Sequence, residues 1–372
     1  MTGKTQSYAR QLNNQLIMRE LRQGVCSATM LSHKLNLSNA ALSSIISKLQ
    51  QDGYIKQAEA DVTVNKGRKP VYYTINERFG YIAVVSLGDY VATVVLADMK
   101  KNIVERYETR VERYDMEMLY ELVLILKNML ATPEYRDIPL LGIDLSVPGK
   151  VNTQTGVLQL SPQFEADIYN DKNAIIDFFK RHFNAPIVMT NDTNLAGLGE
   201  MYSGAMQGVE NGMLVHVDEG VGGALILNGK LFTGSQGFGG EIGIMRAEFM
   251  GKTDYVDEFV SLRAIKKQFG VKHTKEIVQR YGVEQDVTDY VDATAVCLGR
   301  LLKDIVELLN ISTIVLSGRI TNFGQNYLEL VQNEVAQSIN DCSVVYSALG
   351  RDASIIGAIS KAVEALTDDI FE

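Results

Sequence analysis

The chain has 372 residues, 46% of them hydrophobic, and a net charge of −9. That content suffices for two or three domains with ordinary cores, and no apolar run is long enough for a bilayer span or a secretory leader, so a cytoplasmic location without membrane contact is expected. Cys26, Cys297 and Cys342 are widely spaced and form no C-x-x-C pair, which argues against a disulfide framework or a thiolate metal site.

Charge is sorted along the chain. Residues 1–80 hold eleven Lys/Arg against five Asp/Glu, a net of +6, and the remainder, with 25 basic and 40 acidic residues, carries −15. A small basic reader of phosphates joined to an acidic body has this asymmetry, the alternative being chance clustering.

Leu16, Ile17 and Leu21 recur at helical spacing within residues 13–23, and Gly24 stops the run, which predicts a first helix. Ser27 is placed to cap a second helix carrying Met30, Leu31 and Leu35. Asn36-Leu37-Ser38 then turns into a third helix with Leu42, Ile45, Ile46 and Leu49 inward, and the three together spell a helix-turn-helix. Outward on the third helix stand Ser38, Asn39, Ala40, Ser43, Ser44, Ser47 and Lys48, small and polar residues that allow close approach to base edges and phosphates. Gly53 ends that helix. Residues 54–56 and 71–75 read as paired strands, and the loop between them brings Arg68 and Lys69 to the tip of a basic wing. A solvated serine face is the bland reading of the helix, and the wing at the right distance argues against it.

From residue 78 the pattern changes to strands alternating with helices, an α/β signature. Residues 81–87 and 91–96 read as a strand pair, 119–130 as an amphipathic helix and 140–145 as a buried strand. Beyond these lies a second set, with short apolar runs at 187–189, 213–217, 222–227 and 314–316 and helices at 174–183 and 294–309. The residues support a body of two α/β lobes and leave its strand order open.

Several segments resemble one known family. LSNAALSSIISKLQQDGYI followed by GRKPVYYTIN resembles the DNA-binding part of the repressor branch of the ROK family, which also contains sugar kinases. LGIDLSVPGKVNTQTGVL, TNDTNLAGLGEMYSG, VGGALILNGKLF, GSQGFGGEIGIM and IVLSGRI extend the resemblance, in the family's order, through residues 78–372. The resemblance implies a winged helix-turn-helix over residues 1–77 and a two-lobed, actin-like (ribonuclease H-like) sugar-kinase fold over 78–372. Lobe one would take about 78–190 plus the C-terminal helix, and lobe two about 191–358. It also marks Ser38, Asn39, Ser43, Ser44, Arg68 and Lys69 as DNA contacts, to which the outward Lys48 is added.

In a sugar kinase a carboxylate takes the proton from the attacking hydroxyl, and amides and Mg2+ surround the ATP phosphates. Asp192, in Asn191-Asp192-Thr193-Asn194, matches the family's Asn-Asp-x-Asn motif and would face a sugar hydroxyl; its structural alternative is the N-cap of a helix over 195–202. The phosphate motifs depart. Ser86-Leu87-Gly88-Asp89-Tyr90 stands where family kinases have Asp-x-Gly-Gly-Thr, and Asp218-Glu219-Gly220 replaces Gly-Thr-Gly. Two carboxylates would be aimed at the triphosphate, and like charges about 4 Å apart cost on the order of 4 kcal/mol at an effective dielectric near 20, so the ATP site is expected to be degraded. The family's structural zinc is also expected to be lost. Ile244 stands for the histidine after Gly240-Glu241-Ile242-Gly243, and Glu248, Met250 and Tyr255 fall where cysteines would be. His33, His182, His216 and His273 are scattered and read as structural or solvated.

Asn191, Asp192, Glu241 and Asp257, the last in place of the family's glutamate, make the expected ligand set. Residues 161–167 precede the point where relatives have a Gly-Trp pair, and this chain has no tryptophan, so a pentose or an unusual sugar stays open. The expected protein is a non-enzymatic repressor of carbohydrate genes, a homodimer or tetramer on an operator, governed by a small carbohydrate and holding no cofactor. An active carbohydrate kinase with a DNA-binding appendage and a DNA-binding protein with a vestigial cleft are the alternatives.

Overall fold

Described in a computed structural model are residues 2–58, 70–152, 155–160 and 174–369, with Phe164 and Ile168. Helix α1 (Thr2–Gln23) begins well before the expected start at residue 13. No proline interrupts the preceding residues, and Gln6, Ala9, Arg10 and Gln11 are sound helix formers; apolar spacing alone registers nothing there. Strand β1 (Cys26–Ser27) leads into α2 (Ala28–Leu35), capped by Ser27, whose Oγ accepts the Met30 N–H at 3.2 Å. Asn36 closes α2 in the left-handed region at φ 52, a conformation asparagine tolerates, and this sets the tight turn into α3 (Asn39–Gln51). Strands β2 (Ile55–Ala58) and β3 (Tyr72–Ile75) pair antiparallel, and β1 adds to β3, completing the wing's sheet. Arg68 and Lys69 lie outside the described residues.

The body contains two five-stranded sheets laid out on one plan. In the first, β4 (Tyr81–Leu87), β5 (Val91–Ala97) and β6 (Ile103–Arg110) form an antiparallel meander. Helix α4 (Met116–Ala131), capped by Asp115, crosses to β7 (Leu140–Val147), which pairs parallel with β4. A short hairpin, β8 (Lys150–Asn152) and β9 (Val157–Leu160), precedes α5 (Ala174–Lys180) and β10 (Ile187–Asn191), which pairs parallel with β7. The order is thus β10-β7-β4-β5-β6. β4 is buried on both faces, as a central strand rich in valine should be, and β6 at the edge is charged and half exposed.

Helix α6 (Asp192–Ser203) opens the second lobe. There β11 (Gly212–Val217), β12 (Val221–Leu227) and β13 (Lys230–Phe232) repeat the meander. The hairpin β14 (Arg246–Phe249) and β15 (Lys252–Tyr255) and the short helices α7 (Asp257–Val260), α8 (Leu262–Gln268) and α9 (Thr274–Arg280) intervene before the long amphipathic α10 (Gln285–Leu309). β16 (Thr313–Ser317), α11 (Gly324–Val335) and β17 (Ser343–Tyr346) finish the order β13-β12-β11-β16-β17. The last helix, α12 (Ala353–Asp369), returns to pack on α6, β4 and β7. Each lobe has its own core, and a further continuous core joins the reader, the first sheet, α6 and α12. Among the described residues no helix is long and apolar enough to cross a membrane.

Candidate functional site

Ser38, Asn39, Ser43, Ser44 and Lys48 are all exposed on α3, while Leu42, Ile45, Ile46 and Leu49 face inward. Ser38 does double duty as the N-cap, its Oγ accepting the Ala41 N–H at 3.3 Å. Lys48 pairs with Asp52 one turn on, at 2.9 Å. Such an exposed pair is worth at most about 1 kcal/mol, so exchanging Asp52 for a phosphate costs little.

A cleft of about 520 Å³ lies between the lobes. Strand β10 ends on Asn191, whose Oδ1 accepts the Asn194 N–H at 2.8 Å. The cap of α6 is therefore Asn191 and not Asp192, and the helix starts before residue 195. That leaves Asp192 in the cleft wall, where its Oδ1 accepts the Thr193 N–H at 2.7 Å and the Asn191 Nδ2 at 3.3 Å. Burial, then the nearby Asp89, push the Asp192 carboxyl up to about 7.

The four expected ligand residues gather around the first residues of β12. Asn191 Nδ2 donates to the Gly149 carbonyl at 2.8 Å, and the next residue, Lys150, pairs with Glu241 at 3.4 Å. Thr193 lies against Gly222, and Gly240 against Gly223. Gly240 has φ +94, and a Cβ there would sit 2.2 Å from the Gly223 carbonyl oxygen, so only glycine lets the Glu241 segment come this close. Asp257 accepts the Val221 N–H at 2.7 Å through Oδ1 and pairs with Arg263 through Oδ2. Both its oxygens serve the protein, and among the four Asp192 is the one in the described cleft wall.

The turn between β11 and β12 corrects the electrostatic expectation for Asp218 and Glu219. Arg319 donates from Nε to both Asp218 oxygens at 2.8 and 3.0 Å, and its Nη2 reaches Asp218 and, at 3.0 Å, Glu219. Lys266 donates to Glu219 at 2.6 Å. Two acids thus meet two cations, and uncompensated repulsion of a triphosphate does not arise. Tyr90, across the cleft in the β4–β5 turn, donates to Glu219 at 2.7 Å and places its ring 4.7 Å from the Arg319 guanidinium. Burial alone would raise the Asp218 carboxyl, but its bonds to Arg319 and the charge nearby hold it below the usual carboxylate range. His216 also stands in this wall; burial lowers its pKa, and its Nδ1 has no partner among the described residues.

The β14–β15 hairpin does not fit a zinc ion. It is held by backbone pairing, Ile244 and Met250 are exposed and offer no zinc donor, and Cys297 is tied to the Glu248 carbonyl. Among the described residues no group of three or more His, Cys, Asp or Glu is placed to hold a metal ion.

Among protein families, residues 82–364 match the ROK family. The chain belongs to the ROK family. It is 24% identical over 389 residues to the xylose repressor of Caldicellulosiruptor bescii, covering 95% of this chain and 96% of that protein. It is 23% identical over 347 residues to the N-acetylglucosamine repressor of Escherichia coli O6:H1, covering 87% and 84%. A crystal structure of a ROK family transcriptional regulator, a homolog of the E. coli MLC protein, matches 98% of each chain with TM-score 0.81 at 19% identity. The ROK hexokinase from Thermus thermophilus covers 77% of this chain and 99% of its own, with TM-score 0.65 at 20% identity. These likenesses establish the fold: a winged helix-turn-helix ahead of a kinase-like, two-lobed body.

Sequence reasoning missed Arg319 and His216 as parts of the cleft wall and Lys266 as a partner of Glu219. The signal available was indirect. Two adjacent acids at a strand end call for a basic partner, and Arg319 stood inside IVLSGRI, but nothing in the linear order pairs residues 101 positions apart.

Proposed function

We propose that this chain is a DNA-binding transcriptional repressor of carbohydrate genes whose kinase-like cleft receives a small sugar or sugar derivative as a signal. The observation that carries this reading is the union in one chain of an exposed Ser/Asn-rich face on α3 with a cleft whose wall holds Arg319 and Tyr90, engaged with Asp218 and Glu219, together with Asp192. Relatives named xylose repressor and N-acetylglucosamine repressor support it. A pentose and an N-acetylhexosamine therefore head the list of effectors to try. Neither zinc nor a nucleotide has a part in this reading. Ser38, Asn39, Ser43, Ser44 and Lys48 would meet DNA, joined by Arg68 and Lys69, and Asn191, Asp192 and Glu241 the sugar hydroxyls. A cytoplasmic location and a homodimer or tetramer on a two-fold operator belong to the same reading.

The test is thermal unfolding against pentoses, hexoses, amino sugars and their phosphates, with ATP and Mg2+ as a separate arm, followed by binding to DNA selected from a random pool. A sugar at about 100 times its dissociation constant adds about 2.7 kcal/mol of stability. No sugar shift together with no DNA enrichment sinks the proposal. The observation favouring a kinase is the Asp192 carboxyl at about 7, well tuned for a general base. ATP consumption in the presence of the sugar panel decides that reading, and none is expected.

A further inference from the structure

The last helix, α12, is bonded at neighbouring positions to the end of β10, just before Asn191 and Asp192, and to α1 of the DNA reader. Lys361 Nζ donates to Thr190 Oγ1 at 2.6 Å and pairs with the buried Asp144 at 3.1 Å. Thr190 is the residue directly before Asn191 and Asp192. Two and three positions further along α12, the Val363 carbonyl accepts from Arg22 Nη2 at 3.1 Å and Glu364 pairs with Arg22 at 3.8 Å. Arg22 is in the last turn of α1. Glu364 also pairs with Lys101 at 3.4 Å, and Lys101 stands 5.0 Å over the ring of Tyr202, near the far end of α6.

Packing makes the same connection. Ile355, Ile359 and Val363 of α12 share one continuous buried cluster with Ile17 and Leu21 of α1 and Leu195 of α6. The two body helices meet backbone to backbone. A Cβ on Gly357 would lie 1.8 Å from the Leu195 carbonyl oxygen, and one on Gly199 2.1 Å from that of Ala353. Contacts this close leave no room for α6 to slide while α12 stays, because a close-packed interior transmits displacement instead of absorbing it.

We infer that α12 is the element that carries the effector signal to the reader, with Lys361 as the positioning residue at the Asn191–Asp192 end and Arg22–Glu364 as the handle on α1. This rests on the sugar-responsive reading above. A ligand that engages Asp192 at the first turn of α6 moves α6 and α12 together, and the Arg22 contacts then shift α1 and, through α2, which packs on both, the recognition helix. The coupling needs two arrangements of α12 for which the ligand has different affinity.

The test uses the full chain with Thr190→Val, Lys361→Met and Arg22→Gln. Amide hydrogen exchange needs neither effector nor operator. T190V, altered only at the effector end, is expected to speed exchange of α1 amides near Arg22 by about tenfold with α10 unchanged, and unchanged exchange in α1 overturns the inference. K361M should act in the same direction more strongly. Where it fails to fold because Asp144 is left unpaired, T190V carries the test. In the second arm, D-xylose and N-acetylglucosamine are the probes and DNA selected by the wild-type chain is the target. A wild-type sugar effect of roughly 5- to 150-fold on DNA affinity should fall below about twofold in R22Q, with sugar affinity unchanged. A full effect retained in both R22Q and T190V overturns the inference. If neither sugar alters wild-type DNA binding, the sugar-responsive reading has failed for these probes, and the exchange arm still decides whether α12 links the two sites.

Discussion

Two sites at the interlobe cleft, around Asp218 and around Asp192, are built from similar parts, acids delivered by strand ends, and differ in what those acids have left to offer. Asp218 and Glu219 are taken up by Arg319 and Lys266, with Tyr90 closing over them from the other lobe. Asp192 accepts from the Thr193 N–H and from Asn191, and among the described residues no Lys or Arg pairs with it. An acid neutralised inside the protein ties distant segments of one lobe together, here residues 218–219 to 266 and 319; an acid kept without a counter-charge can still be completed by an incoming hydroxyl donor. The same residue type is therefore engaged in one place and open in the other, according to its partners.

Breaking the Arg319 pairing should have the largest effect. Arg319→Met leaves Asp218 and Glu219 facing one remaining cation, and urea unfolding is expected to show a loss of about 2–3 kcal/mol. That is below the cost of breaking a fully buried pair, because Arg319 keeps about a third of its surface in water. Adding Asp218→Asn should restore part of the loss; unchanged stability in R319M would erase the contrast between the two sites.

At the second site, Asp192→Asn should weaken binding of the effector found in the melting screen by about 10- to 100-fold, the scale of hydrogen bonds to a charged group, without loss of stability at pH 8. Titration calorimetry reads the first quantity and urea unfolding the second. A stability loss as large as that of R319M would show that Asp192 is structural after all.

Acidity sharpens the same contrast. The Asp192 carboxyl is raised from an ordinary 3.8 to about 7. Between those values the folded chain keeps a proton that the unfolded chain has released, so this group makes stability decline as pH rises through the window, by at most about 1.4 kcal/mol per pH unit. Asp192→Asn removes that slope. Effector affinity should run the other way, falling as pH drops through about 7 and the carboxylate is lost, and a pH-independent dissociation constant would contradict the assigned role. The smallest effect is expected from Tyr90→Phe, which deletes one hydrogen bond to Glu219 and should lower stability by about 1 kcal/mol or less in the same unfolding assay.

Much of this was legible in the residues, and for a local reason. The inward Leu42, Ile45, Ile46 and Leu49 repeat at the helical period, Ser27 and Ser38 cap the helices that begin beside them, and the valine-rich run of β4 marks a buried strand, so type and burial are set by neighbours a few positions away. Where local signals competed, the expected helix start at residue 195 fell late and the capping alternative for Asp192 did not hold. Asn191 and Asp192 are both good caps, and which one caps α6 depended on where β10 ended.

The sequence by itself determined the reader, its exposed face, the α/β character of the body and the residue types available to the cleft. The partnership of those residues was decided only by tertiary structure. Arg319 meets Asp218 across 101 positions and Lys361 meets Thr190 across 171, because the sheets set β11 beside β16 and bring α12 back onto β7 and α6. Whether a carboxylate is satisfied or open is a property of such distant contacts, and periodicity, capping and spacing carry no information about them.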